Sequence, residues 1–383
     1  MKFFTQEHID QIRKGFYSAV YFNRTQQVLL NEHNLKTVTM QIFQKQDNQV
    51  VCGIEEVLEL FRNCAGFFEK ETWISKFSEL TIETLKDGET TNAWEPVMHI
   101  SGPYAYFAHL ESVYLGILAR RTKVATGVRN VVLAAREKPV IFFADRFDYF
   151  ANQPGDGYAA KIGGVSSVAT DAQASWFGEK GVGTIPHALI AINNGDTISA
   201  AEQFAKHYPQ IPLIVLVDFD NDCVQTSLAV ARALGNKLYG VRMDTSEKLI
   251  DKSLEIWNGE KASDSPPELL RSNIPPITDG NEPVTELQNL HGVNPQLVKN
   301  VRKALNTEGF DKIKIVVSGG FNAEKIEKFE QQQTPVDMYG VGSSLLRGHA
   351  EFTADIVKVD NKEIAKFGRK FQSSKKLQDI DSK

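Results

Sequence analysis

An α/β fold built on a parallel sheet is predicted by three observations. From about Pro139 onward, short apolar runs of strand length alternate with amphipathic segments of helix length. Those runs are apolar throughout rather than at every second position, the pattern of strands covered on both faces. Each run stops at a charged residue or a glycine-rich turn, the punctuation of βα loops. A segment of this size made of such units suggests a (β/α) barrel, which takes about 250 residues, with a doubly wound open sheet as the alternative.

The units follow in order. "PVIFFAD" (139–145) reads as a first buried strand, and "IPLIVLVDF" (211–219) as a second. Helical "NDCVQTSLAVARALG" lies behind the second and ends at Gly235, a plausible C-cap. "KLYGVRMD" (237–244) is the third, with helical "SEKLIDKSLEIWN" after it. "IKIVVSGG" (313–320) is the fourth, followed by helical "NAEKIEKFEQQ", and "VDMYGVG" (336–342) is the fifth. The Pro-, Ser- and Asp-rich stretch "EKASDSPPELLRSNIPPITDGNEP" reads as an inserted loop. It closes on "GVNPQLVKNV", where Asn294 and Pro295 have the order of an N-cap and a first-turn proline.

The first 115 or so residues read differently. "TVTMQIF" alternates like a half-exposed strand, and "VVCGIEEVLELF" like a strand running into a helix. We therefore expect an N-terminal α+β domain over 1–115, joined by part of the tail, a barrel over 116–350, and an extension over 351–383 whose polar end is partly disordered.

The 383 residues carry a net charge of −5, which argues against a general affinity for nucleic acid. Cys52, Cys64 and Cys223 form no C-x-x-C pair, which fits a reducing cytoplasm and no disulfide framework. The N-terminus has no apolar signal region, and the longest apolar runs are far too short to span a membrane. Neither a nucleic acid nor a membrane is expected as a partner.

In a barrel, the carboxyl ends of the strands and the βα loops build the active site. Asp145 and Arg146 end the first strand, Asp218 the second, Arg242 and Asp244 the third. Ser318, Gly319 and Gly320 end the fourth, and Gly342 and Ser343 the fifth; "GTIPHALI" puts His187 just after another short strand. The two glycine turns let backbone N–H groups approach a ligand at a helix N-terminus, which suits phosphate. In "GVRMDTSEKL", Arg242 and Asp244 are two apart, so a strand places both on one face. Desolvating such a pair offsets its own attraction, so a bound anion is the better reason for it. Together these residues suit a phosphorylated polyol, with anion holders at one end and carboxylates at the other.

The set resembles the type II phosphoribosyltransferases, and within them the nicotinate phosphoribosyltransferases. The resemblance runs from about Tyr17 to Leu346. It rests on "SGPYAYFAHLESVYLGILAR", "FFADRFDYF", "KIGGVSSVAT", "GVGTIPHALI", "LVDFDND", "GVRMDTSEKL", "IVVSGGFNAEKI" and "MYGVGSSLL". It implies an incomplete TIM-like α/β barrel with an N-terminal α+β domain, working as a homodimer with shared active sites. The implied reaction moves phosphoribose from phosphoribosyl pyrophosphate to nicotinate, giving nicotinate mononucleotide and pyrophosphate in NAD salvage. Mg²⁺ would arrive with the pyrophosphate, and its protein ligands stay open.

By position, the resemblance assigns Gly319, Gly320, Gly342 and Ser343, with Ser318 beside them, to the 5′-phosphate. Asp244 and Asp218 would sit by the ribose and C1′. Arg242 and Arg146 would face the pyridine ring, its carboxylate or the pyrophosphate. His187 matches a histidine that takes a phosphoryl group in ATP-coupled members. Tyr21 matches an aromatic that stacks on the ring, with Arg24 and Thr25 beside it and Tyr17 competing for the role. Glu111 matches a motif residue of unassigned role. Ser166 and Ser167 could donate to a carboxylate, which favours nicotinate over nicotinamide; quinolinate would need a larger cluster of cations. Asp222 competes with Asp218 in "VDFDND". The tail has no cysteine, so no zinc site of the kind some members carry is expected. Against all this stands a silent phosphate-binding barrel, or an aldolase-like one using Lys161 or Lys314.

Overall fold

Residues 2–254 and 290–380 are described by a computed structural model. The chain forms two compact units, one of Met1–Asn130, Asp145–Gly181 and Leu345–Lys383, the other of Val131–Ala144 and Val182–Ser344.

The first unit opens with α1 (Gln6–Arg13), capped by the Thr5 hydroxyl, which accepts from the His8 amide at 3.2 Å. After it come α2 (Val20–Asn31), β1 (Thr37–Gln44), α3 (Ile54–Cys64), β2 (Thr81–Thr84), β3 (Pro96–Pro103) and the long α4 (Glu111–Ala134). β1 and β2 pair antiparallel with β3. Met40 and Ile42 of β1 and Met98 and Ile100 of β3 turn one face toward Val57, Leu60 and Phe61 of α3 and Tyr114 and Leu118 of α4. Period-two alternation thus places apolar side chains against the helices. The expected boundary at residue 115 falls inside α4, and the 145–181 segment groups with the first unit.

The second unit begins with β4 (Val140–Phe142); α5 (Gln153–Gly163) belongs to the first. Then follow α6 (His187–Ile192), α7 (Thr197–His207), β5 (Leu213–Leu216), α8 (Cys223–Leu234), β6 (Leu238–Met243), α9 (Pro295–Thr307), β7 (Lys314–Val317), α10 (Ala323–Gln331) and β8 (Met338–Val341). Its five strands among the described residues run parallel in the order β5-β6-β7-β8-β4. Among the described residues no ladder joins β4 to β5, so the barrel is open, as expected of an incomplete one. Capping follows the sequence. Asn294 accepts from Leu297 N at 3.0 Å with Pro295 in the first turn, and Gly235 ends α8 at φ +52°.

The chain then returns to the first unit. β9 (Phe352–Val359) pairs antiparallel with β1, β10 (Lys362–Glu363) folds back on β9, and β11 (Gln378–Asp379) pairs with β2. The sheet order is β10-β9-β1-β3-β2-β11, so residues 364–377 cross from one edge of the sheet to the other.

Four expectations need correction. β1 is buried on nearly every residue rather than half-exposed, because the helices cover one face and the crossing tail the other. Gln41 and Phe43, the outward positions, meet that tail: Gln41 Oε1 accepts from Gln372 N at 2.9 Å, and the Arg369 guanidinium lies 5.4 Å above the Phe43 ring. The polar tail is therefore ordered through residue 380, held by edge pairing that composition does not reveal. The helix expected after "GVRMD" is replaced, over the described Ser246–Leu254, by turns and a 3₁₀ turn at Lys252–Leu254. Most of the expected inserted loop lies outside the described residues. No strand precedes His187; a single Ile185 N to Ile214 O bond of 3.3 Å stands where one was expected.

Candidate active site

The carboxyl rim of the parallel sheet gathers Asp218, Arg242 and Asp244, with His187 and Ser318 beside them. Arg242 is the second-last residue of β6 and is held on three sides. Its Nε donates to Ser318 Oγ at 2.8 Å, its Nη1 donates to Thr184 Oγ1 at 3.0 Å, and its guanidinium lies 4.6 Å above the Phe143 ring. The parallel register sets Arg242 beside Val316, and Ser318 follows two residues later, just past the end of β7. Ser318 is 2% exposed and also donates to Asp244 Oδ1 at 2.7 Å, while Asp244 Oδ2 lies 3.6 Å from Arg242 Nη2. The pair in "GVRMD" is thus a long ion pair that a buried hydroxyl also bridges. A guanidinium fixed by two hydroxyls and an aromatic face is preorganised to receive a planar anion.

Gly319 follows at φ +86°, and a Cβ there would stand 3.2 Å from Asp244 Oδ1. The turn therefore needs glycine twice over, for its left-handed backbone and for the carboxylate beside it. Across the sheet, a Cβ on Gly340 would meet the Phe143 ring at 2.5 Å, so that glycine gives Phe143 its seat under Arg242. The two glycine turns are tied together, because Ser344 Oγ donates to Phe321 O at 2.7 Å. Gly320, Gly342 and Ser343 lie on these turns at the rim.

His187 begins α6, and its Nε2 lies 3.1 Å from Asp218 Oδ2. The hydrogen bond to Asp218 holds its pKa above the usual imidazole value; Asp244 adds to this and Arg242 opposes it. Asp218 is nearly buried, and its Oδ1 has no hydrogen-bond partner among the described residues. Asp222 instead caps α8, accepting from Gln225 N at 3.1 Å. That separates the two carboxylates of "VDFDND": Asp218 is the rim residue and Asp222 the helix cap.

Thr184, Phe143 and Lys325 were not singled out in the sequence. Lys325 carried a signal: it stands in the first turn of α10, where the helix dipole disfavours a cation. Its ammonium lies 4.4 Å above the Phe321 ring and 3.4 Å from Gly319 O, and burial pushes its pKa down. The aldolase candidates lose their basis. Lys314 pairs with Asp337 at 2.9 Å, which raises its pKa, and Lys161 pairs with Glu179 at 2.7 Å. A Schiff-base lysine needs the opposite shift.

The remaining expected residues belong to the first unit. Tyr21 is 63% exposed on α2, with its ring 4.3 Å from Phe22, and Arg24 is exposed beside it. Thr25 donates to Tyr21 O at 2.8 Å and so serves its own helix. Tyr17 donates to Gln11 at 2.6 Å and packs edge-on against Phe16. Arg146 is exposed, with its guanidinium 5.8 Å from the Phe147 ring. Ser166 is exposed and Ser167 half-buried.

Glu111 is the first residue of α4 and accepts from the Tyr104 hydroxyl at 3.2 Å. Burial pushes its carboxyl up to about 7, and Asp355 pushes in the same direction. A carboxyl raised in the fold favours the protonated form, so stability falls as pH climbs from the ordinary carboxylate range through about 7 and is level above that. Glu111→Gln removes this titration. Its melting temperature is expected to exceed the parent's at pH 8, with the gap closing toward pH 4.5; an equal gap at both values would contradict the burial argument.

Comparison with known proteins now adds to this geometry. The quinolinate phosphoribosyl transferase N-terminal domain profile matches residues 19–122. A crystal structure of nicotinate-nucleotide pyrophosphorylase from Pyrococcus furiosus is 31% identical, with a TM-score of 0.73 over 96% of this chain and 82% of that one. Human nicotinic acid phosphoribosyltransferase, at 15% identity and a TM-score of 0.62, covers 93% of this chain and 77% of its own and shares the fold. A nicotinate phosphoribosyltransferase of Mycobacterium tuberculosis is 25% identical over 72% of this chain, which spans only 52% of that relative's length. On the extent of the Pyrococcus match, and with the residue pattern of the rim, the chain belongs to the type II phosphoribosyltransferase family.

Proposed function

We propose that the protein transfers phosphoribose from phosphoribosyl pyrophosphate to the ring nitrogen of nicotinate, within NAD metabolism. The observation that carries this reading is Arg242, held by Ser318 and Thr184 over the Phe143 ring, with Asp244 on its flank. The nicotinate nitrogen lone pair forms the bond to C1′ as the C1′–O bond breaks, and pyrophosphate leaves with that electron pair. Positive charge develops at C1′, where Asp244 and Asp218 supply negative potential. Arg242 orients the planar monocarboxylate, and the Gly319–Gly320 and Gly342–Ser343 turns hold the 5′-phosphate. Positioning and electrostatic complementarity supply the rate of the phosphoribosyl step, with no ribosyl–enzyme bond formed. Mg²⁺ accompanying the pyrophosphate would neutralise its charge; the orphaned Asp218 Oδ1 fits a water of that ion, which keeps most of its hydration.

His187 is proposed to couple ATP to the transfer. With Nε2 on Asp218, its Nδ1 would form a P–N bond to the γ-phosphorus of ATP as the bond to ADP breaks and ADP leaves. Water would then hydrolyse the phosphohistidine to phosphate. The Asp218 carboxylate orients its imidazole, which is 43% exposed and so open to a donor.

Quinolinate is the second reading, because the matched N-terminal domain profile is that of a quinolinate enzyme. One substrate panel decides between them. Protein, phosphoribosyl pyrophosphate and Mg²⁺ are mixed with nicotinate, nicotinamide or quinolinate, with and without ATP, and pyrophosphate is followed. Nicotinate should turn over fastest, with ATP raising the rate in the parent and not in His187→Ala. Preferential release with quinolinate would replace the nicotinate reading.

A further inference from the structure

The tail that crosses the antiparallel sheet has two sides. Inward, Arg369 pairs with Asp355 at 2.7 Å and lies 5.2 Å from the Trp94 ring, and Phe371 packs 5.1 Å from His99. The stretch "KEIAKFGRKFQSSKK" (362–376) carries six cations against the single acid Glu363, in a chain of net charge −5, and of these Arg369 and Lys376 are spent on Asp355 and Glu95. Lys362, Lys366, Lys370 and Lys375 are exposed and make no ion pair among the described residues. Between them Ile364 is 54% exposed, and Phe367 is 103% exposed, in contact with nothing that shields it.

We propose that this strip is a docking surface for an anionic lipid bilayer. Charge complementarity names the occupant. Unpaired lysines on one ordered segment match a sheet of negative headgroups, and the apolar side chains among them match the boundary between headgroup and acyl chain. Nucleic acid fits less well. Its bases are taken by aromatic platforms and arginine, whereas the arginine here is spent inward on Asp355 and the aromatic stands alone. The absence of a spanning segment set the sequence expectation against a membrane partner. A peripheral contact needs no span, and among the described residues no helix is long and apolar enough to form one.

The test is sedimentation of the full chain with vesicles of phosphatidylcholine alone or mixed with phosphatidylglycerol. Binding to the mixed vesicles is expected at low salt, and its loss is expected once the Debye length falls to about 3 Å near 1 M salt. Phe367→Ser should weaken partitioning about tenfold through lost apolar burial, without changing the melting temperature, since the ring touches nothing. Changing Lys362, Lys366, Lys370 and Lys375 together to glutamine should abolish it. Three results would overturn the proposal: no pelleting with mixed vesicles, equal pelleting with neutral ones, or retention only on a single-stranded RNA homopolymer. A shift in oligomeric state in Phe367→Ser, seen by sedimentation velocity, would reassign the strip to contact between copies.

Discussion

Arg242→Ala is expected to lower phosphoribosyl transfer by about three orders of magnitude, close to 4 kcal/mol of transition-state stabilisation. The guanidinium is the charged donor aimed from the β6 rim, and its Nε and Nη1 are anchored by Ser318 and Thr184. Truncation removes the charge proposed to hold the substrate anion and frees the hydroxyl that Ser318 also gives to Asp244. On the proposed reading the anion and Asp244 both lose their fixed positions, so kcat should fall along with kcat/KM. The fold should survive, because Arg242 is a rim residue with 16% of its side chain exposed and the β6 ladder is made by backbone. Arg242→Lys should recover little, since an ammonium cannot span the two hydroxyls and stack on Phe143 at once. Unchanged kinetics in a folded Arg242→Ala protein would remove the rim from the mechanism.

That site was legible in the sequence for a local reason. Arg242, Asp244, Ser318 and Gly319 all lie at strand ends, and a strand of known direction delivers its ends to one rim. The partners that hold Arg242 were not legible. Thr184 lies 58 residues away in irregular chain, and no periodicity ties it to β6. The fold divides in the same way. The five apolar runs became β4 to β8, each covered on both faces, whereas the crossing tail was invisible because two-residue edge strands leave no pattern. His187 shows the intermediate case. Its pairing with Asp218 puts it at the rim as expected, but through a short helix rather than a strand.

The largest stability effect is expected at a residue that no motif marked. Asp156 in the first turn of α5 is 2% exposed and accepts two hydrogen bonds from Arg120, at 2.9 Å and 2.6 Å. It also lies 3.8 Å from Arg121, whose own guanidinium is bound by the buried Glu56 at 2.8 Å and stacks 5.3 Å from Trp176. Asp148 closes the network on Arg120 at 2.7 Å. The hydrogen bond to Asp156 is the first cause of the raised Arg120 pKa, so this cation is held by that one carboxylate before any other. Asp156→Ala leaves two neighbouring guanidiniums with one buried counter-charge fewer, which is expected to destabilise the first unit by about 3–5 kcal/mol. The loss should appear as a lower urea midpoint for that unit's transition. Charge, rather than volume, is the cause, and a second substitution separates the two. Arg120→Met in the Asp156→Ala background removes the stranded cation and should restore a large part of the loss, because an ion pair removed whole leaves nothing uncompensated. If the double variant were as unstable as the sum of the singles, the carboxylate would be acting by packing, and the network would be decoration on a core set by α4 and α5 alone.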